Sequence, residues 1–308
     1  MLQYLIILLD DTSTSFCHYE NTKSERRLNP IETLKQGIRF GMMENLMIQF
    51  VYPDYDLPEG YEEAIESIDH SKIKPVEKSA DVWVVKDICG IESDVPVVWR
   101  TNKHELMYHE NDIIDALRNT PRLNIVLTNV DVFTDPDFDY YKVFLEKLSE
   151  KVEALYVEDK TPQLNLLTDR MMLSQMNNCG AGETSITLAP NGKFYVCPAF
   201  YYEDENDSIG DLEHGLNIKN KQLYRLDHAP ICRHCDAWQC KRCIWLNRKT
   251  TLEVNTPSHE QCVMAHLERN ASRKLLNNIR KHGTFLPEQE EIKEIDYLDP
   301  FDKRDEWI

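Results

Sequence analysis

Four cysteines fall within twelve positions of the segment ICRHCDAWQCKRCIW, residues 231–245: Cys232, Cys235, Cys240 and Cys243. They form two CxxC pairs four residues apart, and Cys179, Cys197 and Cys262 flank them. Thiolates at this density are ligands for zinc or for iron–sulfur clusters. A zinc ribbon wants roughly fifteen to twenty residues between its CxxC pairs. The gap of four therefore sends the thiolates to two sites more readily than to one. Seven cysteines suit two four-coordinate sites that share a shortfall of one protein ligand. His234 and His259 lie beside the run and read as surface or supporting side chains rather than as ligands.

The remaining two cysteines, Cys17 and Cys89, lie in the first half of the chain. Cys17 follows an apolar run in LIILLDDTSTSFCHYEN, residues 5–21, and reads as a buried thiol.

The elements that must hold these residues alternate. QYLIILL, MIQFVY, ADVWVV, VPVVW and NIVLTNV read as strands, and EGYEEAIESID, HENDIIDALRNT and DYYKVFLEKLSEKV as amphipathic helices. In NPIETLKQGIRFGMMENL, Asn29 is the expected N-cap, with Pro30 at the first helical position and Glu32 closing a capping box. Apolar strands between amphipathic helices imply a parallel sheet, either a partial (β/α) barrel or an open doubly wound sheet. Beyond about residue 160 the pattern changes. ITLAP and KFYVC flank Asn191-Gly192, the strongest short hairpin signal, and a helix is expected over about 258–281.

The chain has 308 residues, 42% of them hydrophobic, and a formal net charge of −18. The apolar fraction supports a real core. The acidic balance argues against binding a nucleic-acid backbone, which needs a basic face. The opening MLQYLIILLDD has no basic flank and no cleavage site, so it reads as a strand, not a signal peptide. With no span apolar enough for a membrane, the expected setting is cytoplasmic.

The order of the seven cysteines resembles the SPASM domain of radical-SAM peptide maturases. There a cysteine is followed by a glycine, four residues and a second cysteine, then by a dense four-cysteine run and one more. Here these are Cys179, Gly192 with KFYV and Cys197, the run Cys232–Cys243, and Cys262. The later gaps of the run, DAWQ and KR, are each one residue shorter than is usual in the family. The resemblance implies a partial (β/α) barrel of radical-SAM type over 1–165, a small SPASM-like domain with a β-hairpin and helices over 166–282, and an acidic tail over 283–308. It also implies two [4Fe–4S] clusters, one on Cys179, Cys197 and Cys243 and one on Cys232, Cys235, Cys240 and Cys262. The first set has three cysteines. Its fourth ligand is a substrate thiol or another protein group.

The other half of the family's machinery is reduced. A radical-SAM enzyme ends its first strand in CxxxCxxC, whose three thiolates leave one iron open for S-adenosylmethionine. Cys17 takes the third position, while Asp10 and Thr14 take the first two. The glycine-rich segment expected after the second strand reads FVYPDYDLP. Together with YPDY, CGAG and APNGK, the pattern is most similar to CXXX-repeat peptide maturases. The resemblance implies a partner in peptide maturation that binds a cysteine-rich precursor peptide, and a radical-SAM partner enzyme, without cleaving S-adenosylmethionine itself. Two alternatives stand beside it: an active radical-SAM maturase with an atypical cofactor site, and a structural zinc protein.

Overall fold

A computed structural model describes residues 1–75 and 79–292. The chain runs β1 (Tyr4–Leu8), α1 (Ile31–Met43), β2 (Met47–Val51), α2 (Tyr61–Glu66), β3 (His70–Lys74), β4 (Val82–Val85), β5 (Val97–Thr101), α3 (Lys103–Tyr108), α4 (Glu110–Asn119), β6 (Leu123–Leu127), α5 (Asp135–Val157) and α6 (Asp169–Met172). It continues through β7 (Ser185–Leu188), β8 (Phe194–Tyr195), α7 (Pro198–Glu203), β9 (Gly210–Asp211), β10 (Gly215–Leu216), α8 (Ile244–Thr251) and α9 (His259–His282). These elements form two compact units. One comprises Met1–Lys86, Val95–Arg100 and Cys179–Arg233, and the other Asp87–Asp94, Thr101–Asn178 and the chain from His234 onward. The C-terminal part of the acidic tail, 293–308, lies outside the described residues.

In the first unit the strands lie in the order β5-β4-β3-β2-β1-β7-β8. All neighbours are parallel except β7 and β8. Five successive strands step outward in one direction, the winding of a partial barrel. A doubly wound sheet reverses direction after an early crossover. β1 is the buried centre: Leu5, Ile7 and Leu8 have no exposed surface, and each contributes about 1.5–3 kcal/mol of apolar burial. α1 lies close on this sheet because Gly37 and Gly41 face it. A methyl group on Gly37 would meet a Leu188 methyl at 2.3 Å, and one on Gly41 would meet Ile48 at 2.6 Å.

Two local expectations are corrected. Asn29 does not cap α1, which has Pro30 at its N-cap and no side-chain capping bond. Asn29 is fully buried and spends its amide on the end of β1, donating from Nδ2 to Leu8 O at 3.2 Å. Its backbone carbonyl accepts from the Tyr61 hydroxyl at 2.8 Å. The β7–β8 hairpin turns one residue earlier than Asn-Gly alone implies. Gly192 N–H donates to Ala189 O at 3.0 Å, which puts Pro190 and Asn191 at the turn's centre. Gly192 alone takes positive φ, +75°, giving a three-residue loop with a bulge.

In the second unit, the two long helices α5 and α9 pack along one another. α5 opens with a capping box between Thr134 and Asp137. It buries Phe138, Tyr141, Leu145, Leu148, Val152 and Leu155. α9 opens on Ser258, whose hydroxyl accepts from Gln261 N–H at 3.3 Å, and buries Met264, Leu275, Leu276 and Ile279. Exposed pairs follow the helix pair: Lys274 with Glu146 at 2.7 Å and His282 with Glu153 at 2.8 Å. Among the described residues no helix is long and apolar enough to cross a membrane.

Candidate functional site

The loop that leaves β1 is built around Asp10. Its Oδ1 accepts from the Thr12 amide at 2.7 Å and the Thr12 hydroxyl at 2.6 Å, a local turn of the kind aspartate favours. Burial, with the Asp10 carboxylate nearby, pushes the Tyr55 hydroxyl up to about 12. Ser13 anchors the turn to Val51 O at 2.8 Å, and Thr14 N–H reaches Tyr52 O at 2.8 Å. Asp10 Oδ1 thus shapes the loop, while its Oδ2 is buried without a hydrogen-bond partner among the described residues. From the YPDYDLP segment, Tyr52 is buried with the Lys74 ammonium 4.0 Å over its ring, and Tyr55 carries the Arg26 guanidinium at 4.0 Å. Next door, Asp11 pairs with Arg27 at 2.9 Å and accepts from the Tyr201 hydroxyl. Burial raises Glu205, but hydrogen bonds from Lys23 and Arg27 outweigh it and hold the carboxyl at about 2.

Cys17 follows on a loop clamped by Arg100, which donates to Cys17 O at 2.9 Å, Tyr19 O at 2.7 Å and the Glu20 carboxylate at 2.8 Å. It is half-buried, not the core thiol the apolar run suggested, because it lies beyond the strand. The Tyr19 ring stacks on Tyr202 at 5.5 Å, and Thr22 donates to Tyr202 O at 3.2 Å. Both contacts press this loop on α7, whose N-cap is Cys197. Burial drives the Cys197 thiol far above its ordinary range and Cys179 adds to that. The amides of Phe200 and Ala199 pull the other way, and Cys17 raises it further. Cys17, Cys179 and Cys197 are therefore electrostatic neighbours. Cys179 is exposed and reaches its place through Gly180, whose carbonyl accepts from the Thr184 amide at 2.7 Å. With φ +71° and the Thr184 hydroxyl 1.9 Å from where a Cβ would stand, any side chain there would strain the backbone and displace Thr184. Cys232, buried, also belongs to this unit.

The second unit holds Cys235, Cys240, Cys243 and Cys262. The DAWQ loop between Cys235 and Cys240 is pinned residue by residue. Asp236 pairs with buried Arg269 at 2.5 Å, and its carbonyl accepts from Arg170 at 2.7 Å. Ala237 is fully buried. Trp238 lies under the Arg170 guanidinium at 3.9 Å, and Gln239 donates to Ala265 O at 2.6 Å. A four-residue gap suffices because no loop residue is idle. Backbone amides point at two sulfurs: Ala237 N–H at Cys235 Sγ and Arg242 N–H at Cys240 Sγ, both 3.4 Å. Such bonds stabilise the charged form of a thiol, the form that binds metal. Burial lowers Arg170 and Arg269 adds to that, while Asp236 and, less, Cys235 oppose it. Cys243 caps α8, and Cys262 stands in the first turn of α9.

Sequence reasoning missed His266, whose Nε2 is 3.5 Å from Cys235 Sγ. The signal was present, since His266 follows Cys262 by four residues and so shares its face of α9. It also missed Glu268, whose carboxyl accepts from the Tyr141 hydroxyl at 2.8 Å and is raised by burial to about 7. His259 makes an edge contact with the Phe138 ring at 6.2 Å. His234 is exposed.

Parallel strands step in one direction from β1, and solved AdoMet-bound structures share this arrangement. The chain has the radical-SAM fold. Among solved structures it is similar to polyhistidine-tagged anSMEcpe with bound AdoMet, a radical-SAM/SPASM anaerobic sulfatase maturating enzyme. The TM-score is 0.65 at 12% identity, over 91% of this chain and 96% of that one. It is similar also to native anSMEcpe with bound AdoMet and Cp18Cys peptide, with TM-score 0.62, 13% identity, and 90% and 99% coverage. At this identity the likeness concerns the fold. No family model matches the chain, and no curated protein does.

Proposed function

We propose that this chain is a component of ribosomal peptide maturation, related to CXXX-repeat peptide maturases. It would bind a cysteine-rich precursor peptide, or a partner maturase, through a SPASM-like domain over 166–282 that carries two auxiliary [4Fe–4S] clusters. The preceding domain, 1–165, keeps the radical-SAM scaffold without cleaving S-adenosylmethionine, and 283–308 is an acidic extension.

The observation that carries this reading is a contrast between two sets of donors. At the end of β1 the donors are oxygens: Asp10 turns Oδ1 onto the Thr12 amide and hydroxyl, and its Oδ2 is buried without a hydrogen-bond partner among the described residues. Around Cys235 and Cys240, amide N–H groups converge on sulfur. Thiolates suit cluster iron, whereas carboxylate and hydroxyl oxygens are hard ligands that suit it poorly. The cysteine set fits the clusters that the resemblance implies. Asp10, Thr14 and the tyrosine-bearing YPDYDLP segment do not fit the open-iron cofactor.

The ligand sets are those of the resemblance: Cys179, Cys197 and Cys243 for one cluster, and Cys232, Cys235, Cys240 and Cys262 for the other. To the first we add Cys17, whose loop the Tyr19–Tyr202 stack holds against α7, the helix that Cys197 begins. Four protein thiolates leave no iron open to a substrate thiol, which favours electron transfer or a structural role for that cluster. The peptides bound in the anSMEcpe structures support a peptide as the partner.

The test is incubation of the reduced, anaerobic protein with S-adenosylmethionine, alone and with a candidate radical enzyme and cysteine-repeat peptide, while 5′-deoxyadenosine and peptide mass are followed. No turnover is expected from the chain alone. Catalytic formation of 5′-deoxyadenosine by the chain alone would instead support the active-enzyme reading.

A further inference from the structure

Cys89 has no place in the cysteine-rich segment, yet it does not stand alone. The Cys89 sulfur, a ring nitrogen of His109 and a carboxylate oxygen of Asp112 lie within 4.8 Å of one another. Cys89 Sγ is 3.7 Å from His109 Nδ1, and the same nitrogen is 2.8 Å from Asp112 Oδ2. Donors at about 2.0–2.3 Å from a tetrahedral ion stand roughly 3.3–3.6 Å apart. The separations of 3.7 and 2.8 Å straddle that range, so a shift of about half an ångström in Asp112 would seat an ion.

The three residues come from segments that are fixed independently. His109 sits at the junction where α3 ends and α4 begins. Asn102 holds the start of α3, accepting from the His104 and Glu105 amides at 2.9 and 3.1 Å. Asp112 is in the first turn of α4. The Cys89 loop is tied down by its own amide bond to Asp87 at 2.9 Å and by Ser93 N–H to Asn119 O at 2.9 Å. One turn before His109, Glu105 places a carboxylate oxygen 3.5 Å from Nε2. In the empty site Nδ1–H donates to Asp112; a cation would take the place of that proton, with the Glu105 carboxylate holding the proton on Nε2 as the partners of metal-binding histidines do.

We propose that Cys89, His109 and Asp112 form a binding site for a thiophilic divalent cation of the zinc type. The mixed sulfur, nitrogen and oxygen set suits zinc. One thiolate and one carboxylate balance the two positive charges. Three protein ligands leave the fourth position to water or to an exogenous ligand, and exposed Cys89 keeps that position accessible. The net charge of −18 raises the local concentration of cations. This site is independent of the cluster assignment, because it shares no residue with it.

The test is a cobalt(II) titration of the full-length protein as isolated, alongside Cys89→Ala and His109→Gln. The wild-type chain is expected to bind one equivalent more than either variant. The wild-type minus Cys89→Ala spectrum is expected to show a thiolate-to-cobalt charge-transfer band. Iron content and circular dichroism should be unchanged in both variants, which separates loss of this site from loss of the fold or of the clusters. Equal cobalt uptake by all three proteins, or a difference spectrum without that band, would overturn the proposal.

Discussion

Glu268 offers a pH dependence that can be worked from the structure. Its carboxyl is raised from 4.5 to about 7, chiefly by burial, with bonds from Tyr141 and Gln239 opposing the shift. Between pH 4.5 and about 7 the folded chain holds a proton that the unfolded chain has released. Folding stability contributed by this group is therefore complete at or below pH 4.5 and falls as the pH rises through 7. A shift of this size is worth about 3 kcal/mol, and partial exposure reduces it to roughly 2 kcal/mol. Glu268→Gln keeps an amide oxygen for the Tyr141 hydroxyl and removes the titration. The assay is urea unfolding of both proteins at half-unit intervals from pH 4.5 to 8.5. The variant should match the wild type near pH 4.5 and exceed it by about 2 kcal/mol above pH 7.5. A wild-type-to-variant difference that does not change with pH would refute the reasoning.

Arg269→Met strands Asp236 and frees the DAWQ loop. Because Asp236 is partly exposed, the cost should be about 2–3 kcal/mol in a denaturant titration, with a loss of bound iron. Cys235→Ala should lower both iron content and melting temperature, because ligand-binding energy is folding energy. Cys17→Ala should leave the fold intact and alter the electron paramagnetic resonance signal of one cluster only, so an unchanged spectrum would remove Cys17 from the ligand set. Gly192→Ala should cost about 1 kcal/mol in thermal melting, from positive φ alone, since the nearest atom to the added methyl is a Thr33 methyl at 3.7 Å.

What was legible in the sequence follows from the physics of each element. α4, α5 and α9 could be read because their apolar positions recur on one face, and β1 because its run is continuously apolar. β3, with the sequence HSKIK, escaped because its lysines look solvent-facing. Lys72 and Lys74 are in fact 6% and 5% exposed. Lys72 is matched by Glu62 and Glu66, and Lys74 lies over the Tyr52 ring. α3 escaped because six residues are too few to show a period. The cysteines were visible as a pattern, but their surroundings were not. Arg170, Asp236 and Arg269 are separated by tens of residues, and no local signal joins them. Cys17 was visible as the remnant of a motif, whereas its nearness to Cys197 depends on aromatic stacking between distant segments.

The central claim is that the cysteine-rich half holds iron–sulfur clusters. Its most direct test is iron and acid-labile sulfide analysis, with zinc determined on the same sample, after anaerobic purification and reconstitution. The account predicts about eight iron and eight sulfide per chain, as two [4Fe–4S] clusters require. A colourless protein that takes up no iron or sulfide, and carries zinc at the Cys179–Cys262 cysteines instead, would contradict it.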